Sequence, residues 1–89
     1  MQLEAETSQE LIKRLRRVEG QIGGIIRMLE QGRDCAEIVT QLAAAGRALQ
    51  RAGFKLVSAG MRQCLHTETV RGTKTMTVEQ MEKLFLSLA

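Results

Sequence analysis

Apolar residues fall at Leu11, Leu15, Val18, Ile22, Ile25 and Leu29, in alternating steps of four and three, with mostly polar and charged residues between them. Such steps line one side of an α-helix in a coiled-coil-like seam. Thr7 and Glu10 have the spacing of a capping box and Gly32 the place of a stop, so the pattern predicts a first helix over about 8–31. A second series, Ile38, Leu42, Ala45, Leu49, Ala52 and Leu56, repeats the steps behind an Asp34/Glu37 start signal. Gly46, Gly53 and Gly60 each cost this helix up to ~1 kcal/mol relative to Ala, yet none is a breaker, and the second helix is predicted over about 35–67. The stretch "TVRGTKT" reads as a loop, after which Thr77 and Gln80 cap a short third helix with Met81, Leu84, Phe85 and Leu88 on one face. No strand pattern, internal repeat or linker interrupts this order. The expected fold is all-α, a single domain over 1–89.

Composition changes the picture in one respect. Eighty-nine residues form a small domain that buries only about 60% of the surface its unfolded chain exposes, which makes self-association a natural remedy. With no Pro and two aromatics, Phe54 and Phe85, the core must be aliphatic. The polar start "MQLEAETSQE" lacks the pattern of a signal peptide and no run approaches a membrane span, so a cytoplasmic protein is expected. In a reducing cytosol two cysteines point to metal binding, redox chemistry or burial rather than to a structural disulfide.

Cys35 and Cys64 lie 29 residues apart. On one continuous helix they are separated by roughly 43 Å, so they do not meet within one chain. They nevertheless project to nearly the same side, beside the Leu42/Leu49/Leu56 row. Two copies of this helix packed antiparallel about a twofold between Leu49 and Gln50 bring Cys35 of one beside Cys64 of the other, and set Gly46 opposite Gly53. An isologous dimer with two symmetric thiol pairs is the expectation. Cys35, in the first helical turn, is the better candidate nucleophile because the helix dipole and free N–H groups favour a thiolate, with Asp34 opposing them. The competing reading is two small buried hydrophobes.

The charge of +3 is uneven: residues 13–62 carry ten Lys/Arg against four Asp/Glu. Arg47, Arg51, Lys55 and Arg62 form a stripe on the second helix away from its apolar side. On the first, Lys13 and Arg17 point outward while Arg14 and Arg16 flank the core. A stripe of this kind is either a solvated face or a surface for DNA phosphates with salt-dependent affinity. The lack of Trp and Tyr argues against stacking on single strands, and no short helix-turn-helix is present. No Ser/His/acid set or phosphate loop supports an enzyme.

The runs "RLRRVEGQIGGIIRMLEQGRDC", "QLAAAGRALQRAG" and "MRQCL" together resemble the CsoR family of bacterial repressors, named for the copper-sensitive operon repressor, over nearly the whole chain. The resemblance implies a long antiparallel helix 1/helix 2 hairpin, a dimeric four-helix bundle that pairs into a tetramer, and operator binding that ends when an inducer modifies the cysteine site. It also implies that Arg14 and Arg51 occupy the positions of the family's DNA-contacting arginines.

The inducer site departs from that of the copper sensors. They carry His four residues before the second Cys, where this chain has Gly60, and often Tyr where it has Asp34. His66, two residues from Cys64, does not replace that ligand and reads as a surface residue. Two cysteines without the His resemble the CstR-like, persulfide-sensing branch. There a Cys35 thiolate takes sulfur from a sulfane-sulfur donor, and Cys64 of the other chain resolves it into a di- or polysulfide bridge. In that reading no cofactor is needed. A Cu(I) sensor remains open, with Cys35 and Cys64 as soft ligands and Met61 as a third. So do a thiol or sulfur buffer without specific DNA binding, and an inert structural dimer. The nickel and formaldehyde branches, which use other ligands at Gly60 and Cys64, fit less well.

Overall fold

The computed structural model describes residues 2–71 and 77–88, with the side chains of 64–71 outside that description. It comprises three helices: α1 (Ala5–Glu30), α2 (Cys35–Arg71) and α3 (Val78–Ser87). The all-α expectation holds, with shifted boundaries. α1 begins one turn before the Thr7/Glu10 signal, at an N-cap Glu4 that makes no side-chain capping bond. The capping box predicted there is not formed: Glu10 instead reaches Arg14 and Lys55. α2 runs beyond residue 67 to Arg71, so 69–71 are helical rather than loop, and 72–76 lie outside the described residues.

The α1–α2 turn follows from Gly32. Its φ of +66° suits a residue without Cβ, and Gly32 N–H donates to Leu29 O while Arg33 N–H donates to Met28 O. These two bonds form a Schellman motif, which satisfies carbonyls at the end of α1 and reverses the chain. Asp34 O then accepts from Ile38 N–H, opening α2 directly after the turn.

α1 packs antiparallel on α2, burying Leu11, Val18 and Ile25, seven residues apart, on α1 and Ala45, Ala52 and Val57 on α2. α3 packs on α2. Thr77 and Gln80 form the predicted capping box, Met81 is buried, and Phe85 meets Phe54 with ring centroids 5.1 Å apart. Leu88 lies so close to Gly53 that a Cβ there would stand 3.1 Å from its methyl carbons. Gly53 thus already has a use within one chain, while Gly46 faces open space.

The Cα extents are 57 × 24 × 12 Å, a single layer of helices. Stable domains bury an apolar face between two layers. Here the other half of each heptad row stays bare: Leu15, Ile22, Leu29, Leu42, Leu49 and Leu56 are 43–61% exposed. No helix among the described residues is long and apolar enough to cross a membrane.

Candidate functional site

Cys35 is the first residue of α2, exposed and free, placed there by the Gly32 turn. Arg33 and Glu37, one turn apart, form an ion pair beside it. The Cys64 backbone lies in the same unbroken helix, so the two cysteines are about 43 Å apart at ~1.5 Å per residue. The side chains of Cys64 and His66 fall outside the described residues. Met61 is half-buried, and Gly60 is buried and lines an apolar groove of about 350 Å³ with Leu3, Val57 and Met81. Among the described residues no group of three or more His, Cys, Asp or Glu is placed to hold a metal. A single chain therefore brings Cys35 and Cys64 together neither for sulfur chemistry nor for Cu(I).

Seven basic residues lie along the α1–α2 hairpin. Lys13, Arg16, Arg17, Arg47, Arg51 and Lys55 are exposed, and Arg14 is half-buried. Arg16 thus stands in solvent rather than flanking the core, as its spacing had suggested. Arg14, Arg17 and Arg51 come from two helices yet line one recess with Val18, Gln21 and Ala48. Glu10 anchors its edge: its Oε1 lies 3.5 Å from Arg14 Nη2 and 3.6 Å from Lys55 Nζ. Lys13, Arg16, Arg17, Arg47 and Arg51 make no ion pair among the described residues. Unpaired cations on a rigid hairpin leave positive potential free for an anionic polymer.

Sequence reasoning overlooked two polar residues of this hairpin. Glu10 read as a helix-start residue, and Gln63 stands in no motif. Gln63 ties the N-terminal segment to α2 just before Cys64: its Oε1 accepts from Glu4 N–H at 3.1 Å, and its Nε2 donates to Gln2 O. Gln63 acquires its partners across the fold, and Glu10 adds Lys55 of α2 to its neighbour Arg14 on α1.

A family model described as a metal-sensitive transcriptional repressor matches residues 7–87. The chain is 38% identical over 60 residues to the copper-sensing transcriptional repressor RicR of Mycobacterium tuberculosis, a match covering 67% of this chain and 62% of RicR. It is 29% identical over 70 residues to the copper-sensing transcriptional repressor CsoR of the same species, covering 79% of this chain and 59% of that protein. The chain thus spans about three fifths of the length of these curated relatives. Among solved structures it is similar to the nickel-responsive transcriptional regulator InrS, with a TM-score of 0.78 and 26% identity over 100% of this chain and 98% of that one.

Proposed function

Because the chain belongs to the CsoR family of metal-sensitive transcriptional repressors, we propose that residues 1–89 act as one DNA-binding and sensing domain that represses transcription in the cytoplasm. The bare Leu15/Ile22/Leu29 and Leu42/Leu49/Leu56 rows pack on a second copy, completing a four-helix bundle, and dimers pair into a tetramer. Operator DNA lies on the basic side through Lys13, Arg14, Arg16, Arg17, Arg47, Arg51 and Lys55. The family is one of repressors, so no residue is given a catalytic role.

The inducer is a sulfane-sulfur donor. The observation that carries this reading is the placing of an exposed Cys35 at the head of one unbroken helix that also holds Cys64, with Gly60 where the copper sensors have a ligating His. The Cys35 thiolate attacks the outer sulfur of a persulfide RSSH, forming a Cys35 persulfide as RS⁻ leaves with the electron pair of the broken S–S bond. The thiolate of Cys64 on the other copy then attacks the inner sulfur, releasing HS⁻ and leaving a disulfide between chains. A second sulfur transfer before resolution leaves a trisulfide. No outside oxidant is required, because the donor's sulfane sulfur is reduced to sulfide. The bridge fixes the two copies in a geometry that does not hold DNA, which couples the thiol site to the basic face.

Cu(I) is the second reading, favoured by the similarity to RicR and CsoR, both named as copper-sensing. Two soft thiolates from different copies, with Met61 as a further sulfur, suit that ion. The discriminating experiment exposes the reduced, DNA-bound protein separately to a persulfide donor and to Cu(I), following DNA release and intact mass. Release by the donor, with a covalent dimer carrying added sulfur, supports sulfur sensing. Release by Cu(I) alone, with unmodified thiols, overturns it in favour of copper.

A further inference from the structure

The chain ahead of α1 is held against the far half of α2 from two directions. Leu3 is half-buried and lines the apolar groove with Gly60, Val57 and Met81. On either side of it, Glu4 N–H donates to Gln63 Oε1 at 3.1 Å and Gln63 Nε2 donates to Gln2 O. Glu4 is extended, with φ −61° and ψ 149°. In an extended chain the C=O of one residue and the N–H two residues on face the same edge, where a neighbouring strand would meet them. A primary amide carries an acceptor and donors on one planar group, so a single Gln answers both. Gln63 thus clasps residues 2–4 as a strand partner would, and Leu3 enters the groove between the two bonds. The clasp sits on the turn of α2 that leads into Cys64. Gly60 lies in that turn and costs the helix up to ~1 kcal/mol relative to Ala, and a helix of this kind is held mainly by tertiary contacts.

We propose that Gln63 is a positioning residue for the thiol chemistry: by clasping residues 2–4 to α2 it steadies the turn leading into Cys64, and so speeds the attack of Cys64 on the Cys35 persulfide of the other chain. The inference rests on the sulfur-sensing reading above and assigns a residue to its second step alone. In that step the Cys64 thiolate attacks the inner sulfur of Cys35–S–SH, the bond to the outer sulfur breaks, and HS⁻ leaves with the electron pair. The two cysteine sulfurs end as a disulfide, and the sulfane sulfur taken from the donor ends reduced as sulfide. Two protein groups must meet for this to happen, and a misplacement of about 1 Å can cost about a hundredfold in rate. The first step needs only an exposed Cys35 and the donor, so the clasp leaves it unchanged.

The test mixes the full, reduced chain with glutathione persulfide, quenches with an alkylating agent at successive times, and reads intact mass. Wild type, Gln63→Met and Gln63→Glu are compared. Gln63→Met keeps the length and loses both bonds, whereas Gln63→Glu keeps the acceptor for Glu4 N–H and loses the donor to Gln2 O. Cys35 persulfide is expected to form at the same rate in all three. Its conversion to the Cys35–Cys64 bridge is expected to slow about tenfold in Gln63→Met, the order of two net hydrogen bonds, so that the persulfide accumulates. Gln63→Glu is expected to slow the same step by less. Leu3→Ala, which withdraws the side chain from the groove and leaves Gln63 in place, is expected to slow it too. Helicity, oligomer size and thermal midpoint are compared to confirm that the variants fold. A lower midpoint with both rates at wild type marks the clasp as a stability contact and overturns the proposal. Faster bridging also overturns it, since residues 2–4 would then cover Cys64 rather than support it. Wild type forming no bridge removes the sulfur-sensing reading and this role with it, whereas bridging at equal rates in wild type and variants removes the role alone.

Discussion

Glu10 is an acid set against the basic side of the hairpin, with its carboxylate between Arg14 Nη2 and Lys55 Nζ. An approaching phosphate competes with it for both cations. Exposed ion pairs of this kind stabilise a fold by about 0.2–1 kcal/mol, so Glu10→Gln is expected to change unfolding free energy by less than ~1 kcal/mol. The same substitution is expected to tighten operator binding several-fold, in a titration at fixed low salt. Weaker binding by Glu10→Gln would show that Glu10 supports the DNA face rather than competing with it. Arg51→Ala, in contrast, is expected to weaken binding and lower the salt slope by about one unit per lost phosphate contact, with the oligomer unchanged on a sizing column. An unchanged slope would mark Arg51 as part of a solvated face. At this scale helical spacing alone gives the Arg47, Arg51 and Lys55 stripe, while the meeting of Arg14 and Arg17 with Arg51 is seen only in the fold. Glu10 was not legible as a partner of these cations, since one of them, Lys55, stands on another helix.

α3 shows what a local signal can and cannot give. Thr77 and Gln80 are three residues apart and bond only to each other's neighbourhood, so their motif survives in the fold as written. Thr7 and Glu10 have the same spacing, but Glu10 has cationic partners and α1 continues to Ala5, so the motif dissolves. Thr77→Ala is expected to cost about 1 kcal/mol, the usual loss on removing an N-cap oxygen, visible as a lower urea midpoint at an unchanged slope. An unchanged midpoint would mean that the unfolding transition does not include α3. The heptad rows teach a related lesson. Their period correctly announced helices, yet Leu11, Val18 and Ile25 are buried within the chain while Leu15, Ile22 and Leu29 are not. Periodicity reports that a face is to be covered, and does not say whether the cover is the same chain or another.

At the scale of the whole molecule, a layer only 12 Å thick between its outermost Cα atoms, with six half-exposed leucines and isoleucines on two helices, is an incomplete core. Covering each of these side chains is worth roughly 1 kcal/mol, about half of a full burial. In the proposed antiparallel α2 pairing Leu49 stands nearest the centre. Leu49→Glu is therefore expected to shift the protein to a monomer in sedimentation and to abolish specific DNA retention. A persistent dimer would show that this row is not the interface. Gly53 lies against Leu88 of its own chain, so in the proposed pairing a close approach of two α2 helices would rest on Gly46, which faces open space, rather than on both glycines.

The central claim is that one sensing site is made by two chains, and mixing two half-sites tests it most directly. Cys35→Ala and Cys64→Ala proteins are each treated with a persulfide donor, alone and after exchange of subunits, and bridged peptides are identified by non-reducing mass spectrometry. Neither variant alone is expected to give a Cys35–Cys64 bridge, whereas the mixture gives one, from Cys35 of the Cys64→Ala chain to Cys64 of the Cys35→Ala chain. A mixture that exchanges subunits and forms no such bridge, while wild type does, would contradict the account.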